Sequence, residues 1–142
     1  MDDVILNKIA SIERCLQRIE EEYRGFEQKF SSNYTKQDSV ILNLQRACEQ
    51  TIDLANYLVR QEQLGVPQSA RDSFQLLANA NMLPAELAQR MQSMVGFRNI
   101  AIHAYQALDL TILVSILEHR LNDFTRFTQT MFGYMEKSSV GN

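Results

Sequence analysis

Apolar residues at Ile5, Ile9, Ile12, Leu16, Ile19, Tyr23, Phe26 and Phe30 alternate strictly between spacings of four and three. That period lines them along one side of an α-helix and would scatter them over both faces of a strand, so residues 5–30 read as one long helix with an apolar seam. Glu13, Arg14, Gln17, Arg18, Glu20, Glu21 and Glu22 fall between the seam positions and form a solvated face, while Gly25 weakens the last turns. A seam of this length must be covered by other elements. With 5 Gly, 2 Pro and no Trp in 142 residues, there is too little turn material for a sandwich or barrel, so those elements are helices.

The rest of the chain repeats the pattern. After the polar break SSNYT, Thr35 and Asp38 have the spacing of a capping box, and a second helix carries Ile41, Leu44, Cys48, Ile52, Ala55 and Leu58 before Gly65 and Pro67 stop it. Ser69 and Asp72 repeat the capping spacing ahead of a short third helix with Phe74, Leu77 and Ala80. Pro84 suits the first turn of a fourth, whose apolar side runs Leu87, Met91, Met94, Ile102 and Tyr105, with Arg98 set in the same stripe. Asp109 caps a fifth helix that aligns Leu110, Val114, Leu117, Leu121, Phe124 and Met131 before Gly133. The expected fold is all-α: an up-and-down bundle of about five helices, one domain over residues 1–135 and a loose tail over 136–142.

Charge and motif content exclude much. Lys and Arg total 14 against 17 Asp and Glu, a net charge of -3, so no general basic field attracts a polyanion and any nucleic-acid contact is local. Ten of those basic residues are Arg, whose planar fork suits phosphate. Cys15 and Cys48 lack metal-ligand spacing and read as reduced, buried thiols in a cytoplasmic protein. The start MDDVILNK is acidic and no apolar run approaches a membrane span, so neither export nor membrane insertion is expected. Phosphate-binding glycine loops, nucleophile elbows, zinc helices and calcium loops are absent. Glu49 and Asp53 share a helix face and read as solvated acids without chemistry, the six methionines as core filler, and His119 as a surface residue.

What remains is GFRNIAIHAY, residues 96–105, where four residues separate Arg98 from His103 and Tyr105 follows two later. Given 10 Arg and 2 His, this Arg–His spacing arises by chance about 0.14 times in such a chain, and requiring the Tyr lowers that to roughly 0.005. Each residue also has a packing explanation: Arg98 covering apolar surface with its stem, His103 satisfied at a helix end, Tyr105 anchoring the helix by its ring.

The run RNIAIHAY resembles the signature of the HEPN superfamily, an Arg, a polar residue (here Asn99) and a His after four to six positions, with the Tyr that its HepT-like branch places two beyond the His. The segments QDSVILNLQRACEQTIDLANYLV, GVPQSARDSFQLL and FRNIAIHAYQALDL are also similar to the toxin of HepT and minimal-nucleotidyltransferase toxin–antitoxin pairs, over most of residues 1–135. The resemblance implies a helical homodimer with the motif in the cleft between subunits and metal-independent, cofactor-free cleavage of RNA, with tRNA the favoured substrate. It further implies a cognate nucleotidyltransferase antitoxin that neutralises the toxin by adding AMP to Tyr105.

The residues suit that chemistry. An imidazole with a pKa near 6.5 is largely neutral at physiological pH, so His103 can take the proton of an RNA 2′-hydroxyl, while the Arg98 guanidinium stabilises the charge that builds on the phosphate. Asn99 supports by orienting a partner or the phosphate. On a regular helix, however, positions 98 and 103 point about 140° apart. Either the helix loosens near His103, or a second subunit completes the site across a two-fold axis, which is the reading favoured here. The alternative is a non-catalytic helical dimer that uses the same surface to bind a nucleotide or a protein.

Overall fold

The computed structural model describes residues 2–103 and 109–140, with side chains over 2–99 and 109–138. Its first helix, α1 (Asp3–Tyr23), starts where the Asp2 carboxylate accepts from the amides of Val4 and Ile5 at 2.9 and 3.3 Å, and it buries Ile5, Ile9, Ile12, Cys15, Ile19 and Tyr23. The seam is therefore real, but the helix ends at Tyr23, about two turns earlier than the apolar spacing suggests. Gly25 adopts φ +87°, a left-handed conformation that closes the helix, and Glu27–Ser32 form a separate 3-10 turn. That turn carries Phe30 back to the core, edge-on to Tyr23 at 5.1 Å. Phe26 leaves the seam, 43% exposed, with the Lys36 ammonium 3.7 Å from its ring centroid.

Helix α2 (Tyr34–Gln61) is capped by Asn33, whose side chain accepts from the Lys36 amide at 3.0 Å; Thr35 lies inside the helix. The two residues compete for one role, and Asn33 holds the extended backbone that a cap requires. Packed between α1 on one side and α3 (Ala70–Asn79) and α4 (Ala85–His103) on the other, α2 is the central element. The Ser69 cap of α3 forms as its spacing predicts, accepting from the Asp72 amide at 3.2 Å. Pro84 precedes α4, its carbonyl oxygen accepting from the Ala88 amide at 2.9 Å.

The expected fifth helix is two helices, α5 (Leu110–His119) and α6 (Leu121–Val140), although Asp109 caps the first of them through a 2.8 Å bond from the Thr111 amide. No glycine or proline marks the break; tertiary contacts impose it at Arg120. There the buried Asp123 carboxylate accepts from Arg90 Nε at 2.6 Å and Arg120 Nε at 2.9 Å, and Arg120 Nη2 donates to the Arg90 carbonyl oxygen at 3.2 Å. The chain bends so that this acid, only 3% exposed, meets both cations. Outside this knot, Arg126 forks onto Glu86 at 3.1 and 2.7 Å. Nor does Gly133 end α6, because Met135, buried one turn beyond Met131, keeps the apolar stripe in contact with the core. Phe30, Phe74, Phe124 and Phe127 are fully buried in the core, with Phe74 edge-on to Phe127 at 5.6 Å. Among the described residues all regular structure is helical, and no helix is long and apolar enough to cross a membrane.

Candidate active site

Residues 96–103 of the motif form the C-terminal end of α4. Leu87, Met91 and Met94 seat that helix in the core, and the Cys48 thiol meets the Met94 carbonyl oxygen at 4.0 Å, fixing α4 against α2. Arg98 is the next inward position, seven residues past Met91 and so about 20° from it around the axis. An arginine there would be costly in isolation. It is met by Glu49, adjacent to Cys48 on α2, whose Oε1 accepts from Arg98 Nη1 at 3.0 Å. The pair is partly shielded, Arg98 21% and Glu49 38% exposed in their side chains. Arg98 Nε is buried with no hydrogen-bond partner among the described residues, which leaves a donor of a charged group unsatisfied there.

Sequence reading missed Glu49, assigning it to a solvated face with Asp53. Its neighbour Cys48 on the buried side was the available signal, and the partner 49 residues away was not legible from spacing. The same geometry disposes of the cysteines as reagents. Both are free and buried, and burial, with the Glu49 charge beside it, pushes the Cys48 thiol up to about 12 against the opposing pull of Arg98, so it stays protonated.

Asn99 is exposed on α4, one residue from Arg98 and outside the pair with Glu49. His103 is the last residue of α4, with its backbone helical; its side chain, and Tyr105 altogether, lie outside the described residues. Since α4 stays helical through position 103, Arg98 and His103 keep the angular separation of a regular helix, and the loosened-helix explanation does not hold up to that residue. Beside the motif, a groove of about 590 Å³ opens between α4 and α5, lined by Gly96 and Phe97 on one side and Thr111 and the exposed Ile112 on the other. His119 is exposed, as its place in the sequence suggests. Among the described residues no three His, Cys, Asp or Glu side chains converge as metal ligands.

The likeness to known proteins covers most of the chain. The profile of the HepT-like ribonuclease family matches residues 12–131. An mRNA nuclease HepT from Shewanella oneidensis is 54% identical over 127 residues, spanning 89% of this chain and 95% of that one. A solved structure of a tri-AMPylated Shewanella oneidensis HEPN toxin in complex with an MNT antitoxin has a TM-score of 0.88 at 50% identity, covering 94% of this chain and 99% of that one. A Bacillus subtilis cytosolic protein of unknown function, YutE, has a TM-score of 0.81 at 12% identity, covering 97% and 92% of the two chains, and shares the fold alone. A match of this extent, carried through the very helices that hold Arg98 against Glu49, makes the chain a member of the HepT-like ribonuclease family.

Proposed function

We propose that the protein is the toxin of a toxin–antitoxin pair, an endoribonuclease that cuts RNA by attack of the 2′-hydroxyl on the adjacent phosphorus. The observation that carries this reading is the shielded Arg98, held by Glu49 through Nη1 alone, within a chain 54% identical to an mRNA nuclease. Glu49 fixes one edge of the guanidinium and leaves Nη2 for a phosphate oxygen. His103 removes the 2′-hydroxyl proton; the P–O5′ bond breaks as the new P–O2′ bond forms, leaving a 2′,3′-cyclic phosphate, and the departing 5′-oxygen takes a proton. Arg98 opposes the extra charge on the phosphorane, and Asn99, exposed beside it, supports the phosphate.

A second copy of the chain supplies the geometry. In this reading Arg98 of one protomer meets position 103 of the other across a two-fold axis; the continuity of α4, which keeps the two positions apart within one chain, and the apolar groove beside the exposed Ile112 at α4 and α5 support it. Neutralisation follows from a nucleotidyltransferase partner adding AMP to Tyr105, which brings negative charge and bulk to the cleft. The substrate is RNA; messenger RNA is what the relative's name specifies, and tRNA is the finer expectation from the motif's branch.

The test is cleavage of total RNA in excess EDTA by wild type, His103→Ala and Arg98→Ala. Wild-type cleavage with cyclic-phosphate ends, lost in both variants, is expected; equal cleavage by all three removes the assigned chemistry. Sequencing the fragments separates mRNA from tRNA targets. With the partner enzyme and ATP, Tyr105→Phe should take up less AMP and remain toxic.

A further inference from the structure

We propose that Arg71 and Gly96 form a second phosphate seat, holding a phosphodiester of the RNA strand next to the one that is cut; this rests on the ribonuclease reading above. Arg71 reaches from α3 across to α4, where its Nε donates to the Gln92 carbonyl oxygen at 3.2 Å while Gln92 Nε2 donates back to the Arg71 carbonyl oxygen at 3.1 Å. The side chain is braced at both ends instead of sweeping through solvent. It rests over Gly96, where a Cβ would lie 2.9 Å from Arg71 Nη2, closer than the two atoms can approach without displacement. Glycine is the poorest helix former after proline, and what it yields in the middle of α4 is this seat.

The charge around the seat is unbalanced. Arg90, Arg98, Arg120 and Arg126 each have a carboxylate partner, whereas Arg71, exposed on the surface, has none among the described residues. An ordered, solvent-facing guanidinium without a counter-charge is suited to an anion that arrives from outside. Its position selects which anion. Residues 96 and 103 are seven apart on one continuous helix, about 20° around the axis and about 10 Å along it, with the exposed Asn99 between them. A strand whose scissile phosphate lies at position 103 therefore passes Arg71 with a neighbouring phosphate. In a chain of net charge -3, discrete seats of this kind must do what a general basic field does elsewhere.

The experiment measures binding of a single-stranded RNA to the His103→Ala protein across a range of salt, with and without Arg71→Ala. Loss of one phosphate contact should lower the slope of log K against log salt by about 0.7 and weaken binding roughly tenfold at low salt. In the cleaving protein, Arg71→Ala should raise KM more than it lowers kcat, and the penalty should vanish on a dinucleotide, which has no neighbouring phosphate. Gly96→Ala displaces the flexible guanidinium tip and should weaken RNA binding likewise, while melting at the same or a higher temperature because alanine favours the helix. An unchanged salt slope in both variants overturns the proposal, also if binding of the nucleotidyltransferase partner is weakened instead; so does a dinucleotide penalty equal to that on the long strand. A wild type that binds RNA without cutting any would sink the ribonuclease reading and still leave the salt slope to judge the seat.

Discussion

Both ends of α4 carry arginines, and the two ends treat them in opposite ways. Toward the N-terminus, one carboxylate only 3% exposed, Asp123, accepts from Arg90 and Arg120, and Arg120 spends a further donor on the Arg90 carbonyl oxygen. Every strong partner there is supplied by the chain. Toward the C-terminus, among the described residues, Arg98 has a single partly exposed carboxylate and a buried Nε with no partner, and Arg71 has no carboxylate partner. The saturated end joins helices; the end with surplus cationic donors is fitted to receive an anion. One rigid helix separates the two, so the surplus is held in place by the saturation at its other end.

That contrast can be broken by substitution. Asp123→Ala leaves two guanidiniums without their shared acid and should cost about 3–5 kcal/mol, a fall of roughly 10–15 °C in Tm by calorimetry, with kcat per folded molecule retained. Comparable losses in Arg98→Ala would erase the distinction. That variant should instead keep its Tm within a few degrees and lose about 10² to 10³ in kcat, measured on a defined RNA. Glu49→Gln keeps an acceptor for Nη1 but removes its charge, and about a tenfold loss in kcat is expected with near-native melting. The smallest effect belongs to Glu86→Gln, which breaks the exposed fork from Arg126 and should shift neither Tm nor kcat measurably.

Legibility in the sequence followed the range of the interactions. The buried positions of α1 and the side-chain caps at Ser69 and Asp109 depend on neighbours within a few residues, and periodicity and spacing disclosed them. The break at Arg120 did not show, because Leu117, Leu121 and Phe124 continue the helical period and the cause, Arg90, lies 33 residues from Asp123. At residues 33–35, the capping-box spacing pointed to Thr35, while the cap is Asn33, two positions earlier and at least as good a capping residue. The linear order of Arg98, Asn99, His103 and Tyr105 was visible at once, but what holds Arg98 was not, since Glu49 offers no signal of its own beyond its buried neighbour. Arg71 was invisible for a related reason: its distinction lies in a missing Cβ on another helix.

Cys48 turns the seam between α2 and α4 into a clock. Its thiol, protonated and sealed against Met94 directly beneath the Arg98–Glu49 pair, meets an alkylating reagent only when the two helices part. With Cys15 replaced by serine, the alkylation rate reads how often the ground beneath Arg98 opens, and repeating it with the nucleotidyltransferase partner proposed above tells whether such a partner covers that end of α4 or loosens what it stands on.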